Sequence, residues 1–196
     1  MQDVFYEETA TLQDAVKLSK KFNLYRILSK ACYIIFTLYA VFAFLFFVPN
    51  SRNVLISVIF TILPAILILA MAIIFGKYKN SIYVEYDYTF ISGSIRIAKV
   101  IKDIKRRTVI KFDTYNIEKI GYYNSLTYKK YECFAGINKQ ILTKNLTPLD
   151  NKNFYYVVVN VNGQKNLLII ECTQQFIVCI LRFSKKSILE EGFLNK

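Results

Sequence analysis

The densest group of charged side chains lies in "KVIKDIKRRTVIK", residues 99–111. Its basic residues are Lys99, Lys102, Lys105, Arg106, Arg107 and Lys111. Clustered Lys and Arg attract anionic lipid, at about 1 kcal/mol per basic residue close to a membrane surface. Because the whole chain carries a net charge of +12, a solvated basic turn is a competing interpretation, and a specific anionic ligand is a third. We therefore treat the six residues as candidate anionic-lipid contacts.

The rest of the composition offers little for catalysis. The chain has no histidine, which excludes histidine-based nucleophilic sites and histidine metal ligands. Its four cysteines form no CxxC pair, and we expect them to be small buried apolar side chains. Glu85 and Asp87 are predicted to face solvent from one strand rather than to form an acid pair. The sequence thus predicts no catalytic residue, no cofactor and no metal, and no nucleic-acid recognition motif accompanies the basic segment.

Two charge-free runs precede the basic segment. They are "ACYIIFTLYAVFAFLFFV" at 31–48 and "VLISVIFTILPAILILAMAIIFG" at 54–76. A helix needs about 20 apolar residues to cross a bilayer core, so the runs predict a two-helix transmembrane hairpin over 31–77. Without ionisable residues they are typical of an anchor rather than a transporter. Pro64 predicts a mild kink, and Ala72 with Gly76 forms a small-residue pair of the kind that brings helices close.

Most of the basic residues that flank the predicted hairpin lie on one side of it. They are Lys17, Lys20, Lys21, Arg26 and Lys30 before it and Lys77 and Lys79 after it, whereas the connecting loop holds Arg52. The positive-inside bias then predicts that both termini are cytoplasmic. Residues 1–30 are acidic first and basic later, which predicts an amphipathic N-terminal helix. Its apolar face would lie on the membrane surface or pack on the domain that follows.

Residues 78–196 carry the two-residue period of a sheet. In "YVEYDYTFIS" apolar and polar residues alternate, "SG" at 92–93 marks a turn, and "SIRIAKVI" returns. Lys99 breaks the alternation, which predicts a bulge or twist, and "KDIKRR" is predicted to form the next turn. Further strands are predicted in "TVIKFD", "NIEKIGYYN", "NFYYVVVNV" and "QKNLLIIEC".

The last two of these strands are joined by Asn162-Gly163, a strong hairpin signal. Thr173 is predicted to cap a C-terminal helix, "QQFIVCILRFSKKSIL". The polar segment 124–152 stays open between a long loop and an extra strand such as "YECFAG". The pattern predicts an α+β domain with a curled antiparallel sheet of about six or seven strands capped by the C-terminal helix.

Two spans, then "YVEYDYTFISGSIRIAKVI", a basic turn, "FDTYNIEKI", a strand pair and a terminal helix form a recognisable order. It resembles uncharacterised two-span bacterial membrane proteins with a pleckstrin-homology-like (PH-like, YcxB-like) cytoplasmic domain. The opening "MQDVFYEE" also resembles small two-span bacterial proteins. The resemblance implies a curled sheet capped by a helix and a bacterial cell membrane location, but no reaction and no site residues.

We therefore expect a non-enzymatic, membrane-anchored interaction module whose partner is anionic lipid or a protein. An accessory subunit of a larger membrane complex is the main alternative, and an unfamiliar enzyme is the third hypothesis.

Overall fold

The structure is a computed structural model that describes residues 4–46, 54–102, 105–184, 187–191 and 193. The chain divides into two compact units, one of residues 14–83 and one of residues 1–13 together with 84–196. The helical unit is therefore inserted into the chain of the other unit, which we call the sheet domain. Arg52 and the rest of the predicted loop between the charge-free runs lie outside the described residues.

The helical unit contains α1 (Ala15–Phe46) and α2 (Val54–Ile82). Both are long and apolar enough to cross a membrane, and only 6% of each most apolar window is buried, which distinguishes them from the core helices of a soluble domain. The Ser29 hydroxyl of α1 donates to the Ala72 carbonyl of α2 at 2.9 Å. A Cβ at Gly76 would lie 3.3 Å from the same hydroxyl. The predicted small-residue pair therefore serves the contact between α1 and α2, and α2 continues through Pro64.

The first sheet of the sheet domain, sheet A, has the order β1-β2-β3-β4 and is antiparallel throughout. Its strands are β1 (Phe5–Ala10), β2 (Val84–Ile91), β3 (Ser94–Ile101) and β4 (Lys105–Asp113). The predicted amphipathic helix over residues 1–30 is wrong for residues 5–10, which form a strand, and the helix that follows begins at Ala15. The predicted turn "KDIKRR" is also too long, because β4 begins at Lys105.

The second sheet, sheet B, has the order β5-β7-β8-β6, in which β6 runs parallel to β8. Its strands are β5 (Ile117–Tyr122), β6 (Asn138–Ile141), β7 (Asn153–Val161) and β8 (Gln164–Cys172). The domain therefore has two four-stranded sheets in its described part, not one curled antiparallel sheet of six or seven strands. The open segment 124–152 supplies both β6 and a short helix, α3 (Leu126–Glu132).

The main core lies between the two sheets and under the last helix, α4 (Gln174–Phe183). Tyr88 and Phe90 of sheet A pack there with Tyr155 of sheet B and with Phe176 of α4. A second cluster on the other face of sheet B includes Tyr156 and is covered by Tyr128 of α3. This explains why β7 and β8 are almost continuously apolar, since strands buried on both faces do not alternate.

The predicted terminal helix is shorter than its apolar pattern indicated. It ends at Phe183, and Ile188 instead lies in a segment that pairs with β5, where its carbonyl accepts from Ile120 N–H at 2.7 Å. Of the cysteines, Cys172 is buried, as predicted, and burial raises the pKa of its thiol. Cys133 is exposed, so the expectation of a buried apolar side chain is wrong there.

Candidate functional site

Two rows of paired residues mark the ends of sheet A. Ala10, Tyr86, Lys99 and Arg107 form one row across all four strands, and Phe5, Ile91, Ser94 and Asp113 form the other. The chain leaves the domain for α1 just after the first row and returns from α2 at Val84. We call this the tether end of sheet A and the opposite one the turn end. The candidate basic residues Lys99, Lys105 and Arg107 therefore lie at the tether end.

A bulge in β4 decides which basic side chains share a face. Ile97 pairs with Ile110 and Ala98 with Thr108, so Val109 is an extra residue on β4. The irregularity lies next to Lys99, where the sequence predicted a bulge or twist. Side chains alternate between the two faces of a sheet, and one extra residue reverses this alternation. The residues of β4 before Val109 therefore lie on the opposite face from the one that a regular strand would give them.

The six predicted contacts consequently do not form one cluster. Lys99 pairs with Arg107. Lys105 precedes Arg107 by two residues on β4, so it lies on the same face, and it pairs with Ile101. Arg106 and Lys111 lie on the opposite face because they pair with Val100 and Arg96. Lys102 occupies the turn between β3 and β4, with a positive φ of 41°. The structure thus brings together Lys99, Lys105 and Arg107 near Lys102, and separates them from the other two.

Arg106 is engaged within the domain. Its Nη2 lies 2.7 Å from Asp87 Oδ2, and its Nη1 lies 3.8 Å from Glu7 Oε1. Asp87 also accepts a hydrogen bond from Thr9 Oγ1 at 2.7 Å. Since Asp87 is only 3% exposed, an ion pair there is retained more strongly than one at the surface. Arg106 is the weakest of the six candidates for a lipid contact.

The prediction for Glu85 and Asp87 is also wrong, because both residues are buried rather than solvent-facing. The prediction failed because β1 was taken for part of a helix. With β1 paired to β2, Asp87 has strands on both sides, and Thr9 and Arg106 reach it from its flanks.

A polar cluster that the sequence did not indicate holds β1 to the start of α4. The Glu8 carboxylate accepts from the Thr173 backbone N–H at 3.0 Å and from its hydroxyl at 2.9 Å, and Lys152 Nζ lies 3.1 Å away. Thr173 is the residue at the N-cap, but its own side chain makes no capping bond. Glu8 supplies the carboxylate that a helix N-terminus favours. In the sequence, Glu8 is recognisable only as an acidic residue near a helix-like pattern, and nothing there indicates that it contacts Thr173.

A second missed feature is the buried Glu171 of β8, which organises the loop over residues 142–149. Its carboxylate accepts from Thr143 Oγ1 at 2.5 Å, from Asn145 Nδ2 at 2.8 Å and from Leu149 N–H at 2.9 Å. Glu171 is fully buried, and buried carboxylates require such donors. The sequence showed it only as a single acid that interrupts an apolar strand.

Comparison with protein families gives one match. The family model described as "Bacterial PH-like domain (DUF6106)" matches residues 14–190, a range that includes both apolar helices and leaves β1 outside. No curated protein and no solved structure matches the chain significantly. The family match covers most of the chain and agrees with the predicted combination of two spans and a PH-like domain. The chain therefore belongs to the bacterial PH-like domain family DUF6106.

Proposed function

We propose that the protein is a non-enzymatic, membrane-anchored interaction module whose tether-end basic residues contact anionic lipid at the cytoplasmic leaflet. In this proposal α1 and α2 anchor the chain in the bacterial cell membrane, and both termini are cytoplasmic. The contact residues are Lys99, Lys105 and Arg107, with Lys102 in the adjoining turn.

The observation that carries the proposal is the position of these residues at the tether end. Val84 pairs with Ile101, which pairs with Lys105. The charge-free run ends at Gly76, and α2 ends at Ile82. From Gly76 to Ile82 the chain makes six helical steps of about 1.5 Å each, and from Ile82 to Val84 it makes two steps of at most about 3.8 Å each. Val84 therefore lies within about 17 Å of Gly76. Chain connectivity alone therefore limits the distance between Val84 and the end of the charge-free run.

That reach is short enough for an electrostatic contact. The headgroup layer extends about 5–7 Å beyond the hydrocarbon core on each side. Screening in physiological salt falls off over about 8 Å. In this proposal the basic side chains at the tether end span the remaining distance, so that anionic lipid contributes about 1 kcal/mol per residue.

Lysine footprinting on the intact chain tests the proposal. A fragment that starts near residue 80 would lack β1 and leave β2 unpaired on one side, so the whole protein is used. We would reconstitute it in nanodiscs of neutral lipid and of neutral lipid mixed with phosphatidylglycerol. An amine-reactive reagent then labels the lysines, which are quantified by mass spectrometry at low and high salt.

We expect labelling of Lys99 and Lys105 to fall in the anionic nanodiscs and to recover at high salt. Lys111 is the internal control, because it lies on the opposite face of the same strand, next to the turn end. Equal labelling of Lys105 and Lys111 in both lipids would show that the tether-end residues face water, and the proposal would then be abandoned.

A further inference from the structure

The two sheets end in four edge strands, and in the described part of the domain β4 is the only long one whose outer edge is unpaired. β1 is bonded to Lys152, whose Nζ donates to the Thr9 carbonyl at 2.6 Å. β5 is paired with the segment after α4, because Ile120 N–H donates to the Ile188 carbonyl and Glu190 N–H donates to the Ile120 carbonyl. β6 has only four residues. β4 has nine residues, and no described segment is bonded to its outer edge.

The side chains of β4 are also open to solvent. Residues 105–109 are all exposed, and Val109 in the middle of the strand is 40% exposed. An unpaired strand edge presents a row of N–H and C=O groups with which another chain can pair. Extended peptides bind many proteins by adding a strand to such an edge. β4 therefore offers main-chain partners to an extended segment.

Two pairs of cations lie directly opposite one another on β3 and β4. Lys99 pairs with Arg107 on one face of sheet A, and Arg96 pairs with Lys111 on the other face. Arg96 Nε donates to Thr108 Oγ1 at 2.9 Å, but none of the four cations belongs to an ion pair among the described residues. Like charges directly opposite each other destabilise a strand pair. The hairpin thus carries unbalanced positive charge on both faces, beside the free edge.

A ligand that balances both cation pairs has to reach both faces of the sheet. A flat surface laid against the sheet meets only one face. An added strand reaches both, because its successive side chains point to opposite faces and lie about 4.5–5.5 Å from their direct neighbours, measured between Cβ atoms. A second copy of β4 is a poor partner, since its own cations would repel those already present. The charges therefore select an acidic segment and disfavour self-association.

We propose that the outer edge of β4 binds an extended acidic segment of a partner protein, which adds a strand to sheet A and places carboxylates beside Arg107 on one face and Lys111 on the other. Main-chain bonds hold the segment, and the cation pairs select its acidic residues. Because the bulge at Val109 puts Arg107 and Lys111 on opposite faces, the two acids are separated by an odd number of positions in the segment. The inference does not rest on the lipid contact, although both use Lys99 and Arg107.

Binding of a designed peptide to the intact protein in neutral phosphatidylcholine nanodiscs tests the inference. The probe is fluorescein-labelled Thr-Val-Glu-Val-Thr-Glu-Val-Thr, whose β-branched residues favour an extended chain and whose glutamates point to opposite faces. One control peptide has lysine in place of each glutamate. The other keeps both glutamates but is N-methylated at its two central residues, which blocks both edges of the peptide because successive N–H groups point to opposite edges. Fluorescence anisotropy measures each affinity.

We expect the acidic peptide to bind with a dissociation constant below about 1 mM and each control peptide to bind about fivefold more weakly or worse. Lys111→Glu and Arg107→Glu should each weaken binding of the acidic peptide by about fivefold, since an attraction becomes a repulsion. Lys130→Glu makes the same change of charge at an exposed position on α3, which covers sheet B. It should leave the affinity within about twofold. Circular dichroism checks the fold of each variant.

Equal binding of the acidic and the N-methylated peptides would overturn the inference, because charge alone would then hold the peptide. Equal binding of the acidic and the lysine peptides, or no binding of the acidic peptide up to about 1 mM, would overturn it as well. These comparisons use the unmodified protein, so a poorly folded variant does not decide the result. The lysine footprint depends on anionic lipid, whereas this experiment contains none. Failure of the lipid contact is therefore distinguishable from failure of the strand addition.

Discussion

Two buried carboxylates in the sheet domain are stabilised in different ways. Asp87, on sheet A, faces the guanidinium of Arg106, whose side chain is 60% exposed. Glu171, on sheet B, is held by a hydroxyl, an amide and a backbone N–H from one loop, and it belongs to none of the ion pairs among the described residues. The guanidinium of Arg106 balances the charge of Asp87, and its engagement there makes it less free to contact another anion. A shell of neutral donors instead gives the loop a fixed shape.

The largest expected effect comes from removing the Glu171 carboxylate. Glu171→Ala removes the acceptor shared by three donors, of which the Thr143 hydroxyl is buried, so we expect the free energy of unfolding to fall by roughly 2–4 kcal/mol. Thermal unfolding followed by circular dichroism measures the loss. Hydrogen exchange of the Leu149 amide should rise in the same variant.

The matched control for this prediction is Glu118→Ala. Glu118 pairs with Lys165 at 2.8 Å, but both side chains are partly exposed, so its removal should change stability by about 1 kcal/mol or less. A loss no greater for Glu171→Ala than for Glu118→Ala would contradict the role of Glu171 in ordering the loop.

The next largest effect concerns Arg106. Arg106→Ala leaves Asp87 buried with the Thr9 hydroxyl as its remaining partner in the described contacts, so we expect a loss of about 1–3 kcal/mol. In the double variant with Asp87→Ala the losses should be less than additive, because the unpaired charge is gone. Arg107→Ala, on the opposite face of β4, should stay within about 0.5 kcal/mol of the unmodified protein. Additive losses would show that the two side chains are not coupled.

Glu8 lies between the two cases, since it is bonded both to neutral donors of Thr173 and to Lys152. Glu8→Ala removes the carboxylate at the start of α4, and we expect a loss of about 1–2 kcal/mol. Glu7→Ala, one residue earlier and on the other face of β1, is the control, with an expected change within about 0.5 kcal/mol. If Glu8→Ala were as mild as Glu7→Ala, β1 would be held by backbone pairing alone.

The smallest expected effect on stability comes from the surface pair of Glu132 and Lys139, whose contribution can be measured by changing the pH. The hydrogen bond from Lys139 lowers the pKa of Glu132. A lowered folded-state pKa gives stability that is present above the ordinary Glu pKa and lost as pH falls through the lowered one. The melting temperature of Glu132→Gln should therefore lie slightly below that of the unmodified protein at about pH 7, and the gap should narrow as the pH is lowered into the range in which Glu132 becomes protonated. A gap that persists in acid would have another origin.

Local patterns predicted several elements correctly. The hairpin of β2 and β3 follows from the alternation around Tyr86 and Tyr88, and Asn162-Gly163 joins β7 to β8. The two charge-free runs correspond to the apolar parts of α1 and α2. Each of these rests on a period or a turn within one short stretch, which is the range over which side-chain spacing carries information.

Elements with distant partners could not be predicted in the same way. Phe5–Ala10 reads as part of an amphipathic helix, yet it pairs with β2 across the whole inserted helical unit. The parallel pairing of β6 with β8 likewise joins segments whose own patterns show no preference for each other. The absence of β1 from the prediction then placed Asp87 in solvent.

The two apolar helices, the alternating strands, the turn at Asn162-Gly163 and the basic segment can all be predicted from neighbouring residues, because each is encoded locally. Which of the basic side chains share a face depends on the fold. The extra residue Val109 turns Arg106 toward Asp87 and Arg107 toward Lys99. The physical reason is that the face of a side chain depends on strand pairing, and pairing is fixed by contacts among residues far apart in the chain.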